Sequence, residues 1–430
     1  MSSSLTRPAT PPRLRRLAVL GAVAAFAMIG LQQALYGPAI PQLRQAHGIT
    51  AAGAATALSV HFAGAIIGVL AMPVARRFGV PDGRFLAWSL VGVAVGALAF
   101  PLAPDWPYAL LAAFVAGVGF GGLDGGVNQV FTEVYAEGGH GMLNLLHGCF
   151  GAGAVAGPIA VGLLPGYGWA FAGCALLALL ALPALRTLAG PVRPAHRGQP
   201  ADPARSADGG RTTTRRPAGT ADATNPVARS GARRPAFPVG TALSLGFLLF
   251  FVLHVGLETG AAGWETTHLI ATGWSAAAAA TATSGFWLAF TAARFAVVPL
   301  CRRYPARVIV FGCTGLTVLA AAATLVDPVA PVGYALLGAA VGPLFPTGLA
   351  WLAEYRPGLT PTVVAVSMAG GIALPPAIGL AVGVAGPTAI AWAMVLMAVA
   401  GLGTVLGLAR LRPAGSGPVA AAVDVDAAQV

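Results

Sequence analysis

Lysine is missing from this 430-residue chain, and acidic side chains are scarce, with 14 Asp and Glu against 25 arginines. Only 9% of residues are charged, where a soluble domain carries roughly 25%, so the chain cannot clothe a water-soluble fold of this length. Cysteine is rare too: Cys149, Cys174, Cys301 and Cys313 lie in or at the ends of apolar runs without CxxC spacing. That spacing argues against a disulfide framework or a thiolate metal site and leaves small core residues. Neither a GxxxxGKS/T loop nor a GxGxxG between strand and helix occurs, so an ion gradient, here a proton gradient, is the expected energy source and no nucleotide partner is expected. No Ser/His/Asp constellation argues for an enzyme, and no cofactor or metal is expected.

What the chain has in abundance is apolar sequence. It is 57% hydrophobic with a mean hydropathy of +0.76, and runs of about 20 apolar residues match the roughly 30 Å of hydrocarbon that a helix rising about 1.5 Å per residue must cross. The pattern predicts twelve spans, at 17–42, 52–74, 84–104, 106–131, 141–164, 168–189, 238–262, 275–300, 306–326, 330–353, 360–384 and 387–410. The expected fold is therefore an all-α integral membrane protein. Arg13, Arg15 and Arg16 precede the first run in the manner of a secretory signal, but no small-residue cleavage site follows, so this run is read as a retained helix.

The net charge of +11 invites a nucleic-acid reading, and the placement of the arginines argues against it. They collect in alternate loops: before the first span, after the second (Arg76, Arg77, Arg84), after the sixth, after the eighth (Arg302, Arg303, Arg307) and after the twelfth (Arg410, Arg412). This is the positive-inside pattern, which predicts a multi-pass cell-membrane protein with both termini in the cytoplasm.

Residues 190–236 are rich in Pro, Gly, Ala, Thr and Arg and too poor in large apolar side chains to fold, so they are read as a disordered cytoplasmic linker. The expected organisation is a tail at 1–16, a six-helix half at 17–189, the linker, a second six-helix half at 237–412 and a tail at 413–430. The halves echo each other. PVARRFG at 73–79 resembles PLCRRYP at 299–305, and the same offset sets Gln32 opposite Glu258. Repeats of this kind mark secondary transporters whose halves rock about a site near the midplane.

GFGGLDGGVNQVF, LNLLHGCFGAGAVAGP, GLETGAAGW, SGFWLAFTAAR and GPLFPTGLA, in the fourth, fifth, seventh, eighth and tenth spans, together resemble the major facilitator superfamily, in particular its fucose permease branch of sugar:proton symporters. The loop signature of the superfamily is degenerate here. MPVARRFGVPDGRF keeps Arg77, Gly79, Gly83 and Arg84 but has Met72 for a glycine and Arg76 for an acid. In that branch a carboxylate in the fourth helix, followed four residues on by Asn, takes part in proton coupling and substrate binding. Asp124 and Asn128 match it, while the acid that the first helix can carry is replaced by Gly37.

A charge near the bilayer centre costs on the order of 3 kcal/mol on the mildest insertion scale, which makes Asp124 a functional candidate. Glu258 is the expected second proton-coupling carboxylate, in a helix whose Gly256, Gly260 and Gly263 suggest a loosened outer end. His254, one turn earlier, is its candidate partner. Asn128, the Asn144 and His147 pair three residues apart, Gln32 and Gln33 offer the hydrogen bonds a hydroxylated solute needs, or else tie helices together. Trp287 offers an apolar face to a sugar ring. Trp264 is explained as well by anchoring in an interfacial aromatic belt. Arg76, Arg77, Glu133, Arg294, Arg302, Arg303 and Glu354 are expected to form a cytoplasmic gate, with both glutamates paired to the arginine clusters when that side is shut.

The leading expectation is proton-coupled movement of a small polar solute, plausibly a sugar, by a monomer in the lipid bilayer. The alternative is proton-antiport efflux of an amphipathic metabolite or drug, on the strength of the GxxxGP spacing of Gly153, Gly157 and Pro158. A third is a solute-sensing receptor that carries no flux.

Overall fold

The computed structural model describes residues 16–134, 140–187 and 239–411. The linker 190–236 and both tails lie outside the described residues, apart from Arg16. Among those described there is no strand, and twelve helical segments are long and apolar enough to cross a membrane.

The first half contains α1 (Arg16–His47), α2 (Ala51–Arg77), α3 (Asp82–Leu102), α4 (Trp106–Val134), α5 (His140–Leu163) and α6 (Tyr167–Arg186). The second contains α7 (Val239–Ala271), α8 (Ala276–Ala296) continued by the short α9 (Val298–Cys301), α10 (Ala306–Ala323), α11 (Ala330–Val341) with α12 (Leu344–Ala353), α13 (Thr360–Ala385) and α14 (Thr388–Arg410).

Two spans differ from expectation in an informative way. The seventh ends at 271 instead of 262, and it runs unbroken through its glycines. Gly256 and Gly260 make room for Leu374 and Ile378 of α13 and do not loosen the helix. The tenth span, by contrast, is two helices. Pro343 and Pro346 lack the N–H groups that would close the ladder, so Gly342 keeps a carbonyl that its own helix cannot satisfy.

Small residues set the packing within each half, as expected where lipid removes the hydrophobic drive between helices. Gly64 and Gly68 of α2 lie against the backbone of α4 at Phe114 and Val118, and Gly117 and Gly121 of α4 lie against His61 and Ala65 of α2. Gly153 of α5 meets the carbonyl of Ala27 in α1 in the same way. A side chain at Gly121 would run into the Ala65 carbonyl, which is backbone and cannot yield. Gly121→Val is therefore expected to destabilise the first half by about 1–3 kcal/mol, read as a lowered unfolding temperature in detergent.

Between the halves, α1 meets α7, α2 meets α13 and α5 meets α8. At the end away from the arginine clusters these contacts are tight. Gly37 touches the backbone of Ala262 and Gly263, Gly379 that of Ala52, and the Ser59 hydroxyl donates to the Ile372 carbonyl at 2.6 Å. A void of about 10 Å³, bordered by Gln33, Leu58, Phe62, Thr259 and Trp287, lies there. At the Arg-rich end α4 has no comparable partner in the second half, and His147 of α5 is exposed. Among the described residues the backbone-to-backbone contacts between the halves lie at the Arg-poor end, while toward the other end α5 and α8 meet through Gly148 and the Phe295 side chain.

Candidate functional site

Packing decides which way Asp124 points. Gly117 and Gly121 commit one side of α4 to α2, while Gly119, Gly122 and Gly126 commit another to Ser89, Phe85 and Leu86 of α3. At about 100° per residue, positions 124 and 128 continue the stripe of Gly117 and Gly121 toward the Arg-rich end, opposite the face packed on α3, and both are half-buried. Asn128 Nδ2 donates to Asp124 Oδ1 at 3.2 Å, so the pair acts as one polar unit.

The second half brings two charged groups to the same region. On α7, His254 Nε2 lies 3.6 Å from Glu258 Oε2, with the His254 ring buried between Phe250 and Phe345 and the Glu258 side chain 14% exposed. On α8, Arg294 donates from Nε to the Gly342 carbonyl at 3.1 Å, the acceptor that the broken tenth span leaves free. Its guanidinium carbon sits 4.3 Å from the centre of the Phe290 ring, a cation–π contact. The Arg294 charge acts on Asp124 of the first half and on Glu258 of the second, and it is felt by His147 and His254 as well. Arg294 is thus within electrostatic range of a carboxylate in each half, although it forms no ion pair within 4 Å of either.

Several buried polar atoms of α1, α7 and α8 have no hydrogen-bond partner among the described residues. Gln32 is fully buried with neither amide atom bonded among the described residues, and the same holds for Trp287 Nε1, Thr291 Oγ1 and the ring nitrogens of His254. Buried polar groups are normally bonded, so such a set suits a solute or water. Thr291 was not expected from the sequence. The signal was present, since Trp287, Thr291 and Arg294 follow i, i+4, i+7 and share a face of α8. Gln33 borders the small void beside Trp287, and His147 stands edge-on to Phe26 with ring centres 5.8 Å apart. The Asn144 side chain lies outside the described residues. Trp264 corrects an expectation: it is fully buried and donates to the Pro375 carbonyl at 3.0 Å, so it locks α7 to α13 and is not part of an interfacial belt.

At the Arg-rich end, Arg76 clamps Asp82 at 2.8 Å and Glu133 at 2.7 Å. Asp82 takes the place of the acid that the loop signature lacks at position 76, and all three residues belong to the first half. Arg77, Arg302, Arg303 and Glu354 are exposed, and Glu354 makes no ion pair among the described residues.

The model of the Major Facilitator Superfamily matches residues 22–270, more than half of the chain. The chain belongs to the major facilitator superfamily. Solved structures of that fold align end to end with this member. A mutant of the nucleoside transporter NupG is 11% identical over 93% of this chain and 100% of its own, with a TM-score of 0.68. FucP, an MFS transporter in the outward conformation, is 15% identical over 93% of this chain and 100% of its own, with a TM-score of 0.56. A variant of the E. coli fucose:proton symporter FucP gives the same identity, coverage and TM-score. No curated protein matches the sequence of this superfamily member.

Proposed function

We propose that this chain is a secondary active transporter that moves a small polar solute by proton-coupled alternating access, as a monomer in the cell membrane. The observation that carries the reading is the position of Arg294, within electrostatic range of Asp124 of one half and Glu258 of the other. Protonating either acid changes what holds the halves together at the site, which is how a proton can bias a rocking carrier. With the Arg-rich end in the cytoplasm, as the positive-inside pattern supports, both termini are cytoplasmic and the tightest packing between the halves lies on the outer side.

The orphaned amide of Gln32, the indole N–H of Trp287 and the hydroxyl of Thr291 favour a ring compound with several hydroxyl groups. Sugars come first, and the likeness to FucP and NupG adds nucleosides to the solutes worth testing. The efflux alternative rests on Gly153 and Gly157, which pack α5 against α1 as glycines do elsewhere in this protein.

The test is uptake of labelled monosaccharides and nucleosides into proteoliposomes under an imposed pH gradient. The expected result is accumulation of at least one compound, abolished by a protonophore. Binding without flux would establish a receptor, and accumulation of amphipathic cations under the reversed gradient would establish an exporter.

A further inference from the structure

A second acidic group lies outside the central site. Glu265 sits on the part of α7 beyond the expected end of its span, fully buried, with neither carboxylate oxygen bonded among the described residues. An ionised carboxylate there, with the Thr283 hydroxyl beside it and no counter-charge, would carry a desolvation penalty of several kcal/mol. The helices around it supply no cation. α8 brings the hydroxyls of Thr283 and Ser284, and its one charge, Arg294, lies toward the other end. α11 brings Tyr334, α12 and α13 contain no titratable side chain, and α14 has only Arg410 at its far end. On α1, Tyr36 faces His61 of the first half, while Arg44 and His47 belong to the last turn.

A route leads from this carboxyl to the surface. Tyr334, also fully buried, is within electrostatic reach of Glu265, and its hydroxyl lies 3.1 Å from Nδ1 of the buried His268. His268 in turn feels the charge of Asp327, exposed on the turn before α11 at the Arg-poor end. Along α7 itself, His254, Glu258, Glu265 and His268 fall within about 80° of one another, a single titratable stripe about 21 Å long.

We propose that Glu265 is an internal proton-binding site, loaded and unloaded from the Arg-poor end through His268 and Tyr334. A proton taken up at the surface passes to the His268 ring. The ring passes one to the Tyr334 hydroxyl, which releases its own through an intervening water to a carboxylate oxygen of Glu265, and unloading reverses these transfers. Glu258 lies two turns further along the stripe. The inference rests on the proton-coupled reading only for the purpose of the site, since occupancy of Glu265 by a proton can be measured without transport.

The experiment is infrared difference spectroscopy of the full chain in lipid, following the carbonyl band of protonated carboxyl groups and its exchange with deuterium. A component of that band is expected to be lost in Glu265→Gln and kept in Asp124→Asn. Exchange of that component is expected to slow several-fold in Tyr334→Phe and in His268→Ala. Because Gln matches the shape of a protonated Glu, the variant is expected to retain the wild-type elution profile, and the wild-type band is itself a check that needs no variant. A band unchanged by Glu265→Gln, or no protonated band in the wild type, overturns the site, and exchange unaffected in both relay variants overturns the route. Each of these outcomes is independent of whether Asp124 couples flux.

Discussion

Asp124→Asn is expected to abolish accumulation of solute under a pH gradient while leaving equilibrium exchange within a few-fold of wild type. Asn has the same shape, and its Oδ1 can still accept from Asn128 Nδ2, so the local structure of α4 survives. What it cannot do is carry a proton between the two faces. With one proton per solute, one unit of pH gradient supports about tenfold accumulation, because a unit of pH is worth about 1.4 kcal/mol. The variant should bring that ratio to about one. The measurement is steady-state uptake in proteoliposomes alongside counterflow in the absence of a gradient. Undiminished, gradient-dependent accumulation by the variant would hand the proton to Glu258 or to another group and remove Asp124 from the mechanism.

Much of this site was legible because it depends on local spacing in α4 and α7. Asp124 with Asn128 and His254 with Glu258 are i, i+4 pairs in apolar surroundings, and helical geometry alone sets such pairs side by side. The spans were legible because length and hydropathy determine them. The end of α7 was not, since Trp264, Glu265, Thr266, Thr267 and His268 have the polarity of a helix leaving the membrane. All five are buried, satisfied in part by Pro375, Thr283 and Tyr334. Hydropathy cannot separate a polar turn that faces water from one that faces neighbouring helices.

The reach of Arg294 was hidden for a related reason. Its position two residues before the end of α8 suggests the loop clusters, but its acceptor is the Gly342 carbonyl, freed by prolines some 50 residues away. The two carboxylates expected across the halves thus share the influence of one cation, which bonds to neither. The broken helix that positions this cation is the tenth span, whereas the sequence had suggested the seventh.

That arrangement makes Arg294→Ala the more damaging of the two substitutions. Removing the guanidinium leaves Asp124 and Glu258 without their shared counter-charge and the Gly342 carbonyl without its donor. Arg294 is half-buried and forms no ion pair within 4 Å of either acid, so the loss is that of a charge-assisted hydrogen bond with a longer-range attraction, about 1.5–3 kcal/mol. Solute affinity is expected to fall about 100-fold, close to 3 kcal/mol, with a lowered unfolding temperature. Arg294→Lys keeps the charge but concentrates it on one ammonium, which cannot hold Gly342 and face both acids with the geometry of a planar fork, so an intermediate loss is expected. A double-mutant cycle separates charge from shape. If Arg294 acts as the counter-charge of Asp124, the Asp124→Asn, Arg294→Ala double variant regains about 1–3 kcal/mol relative to the sum of the single changes. Strict additivity in both stability and binding would mean that the arginine serves only α8 and the broken tenth span, and that the two acids are coupled by something other than the cation between them.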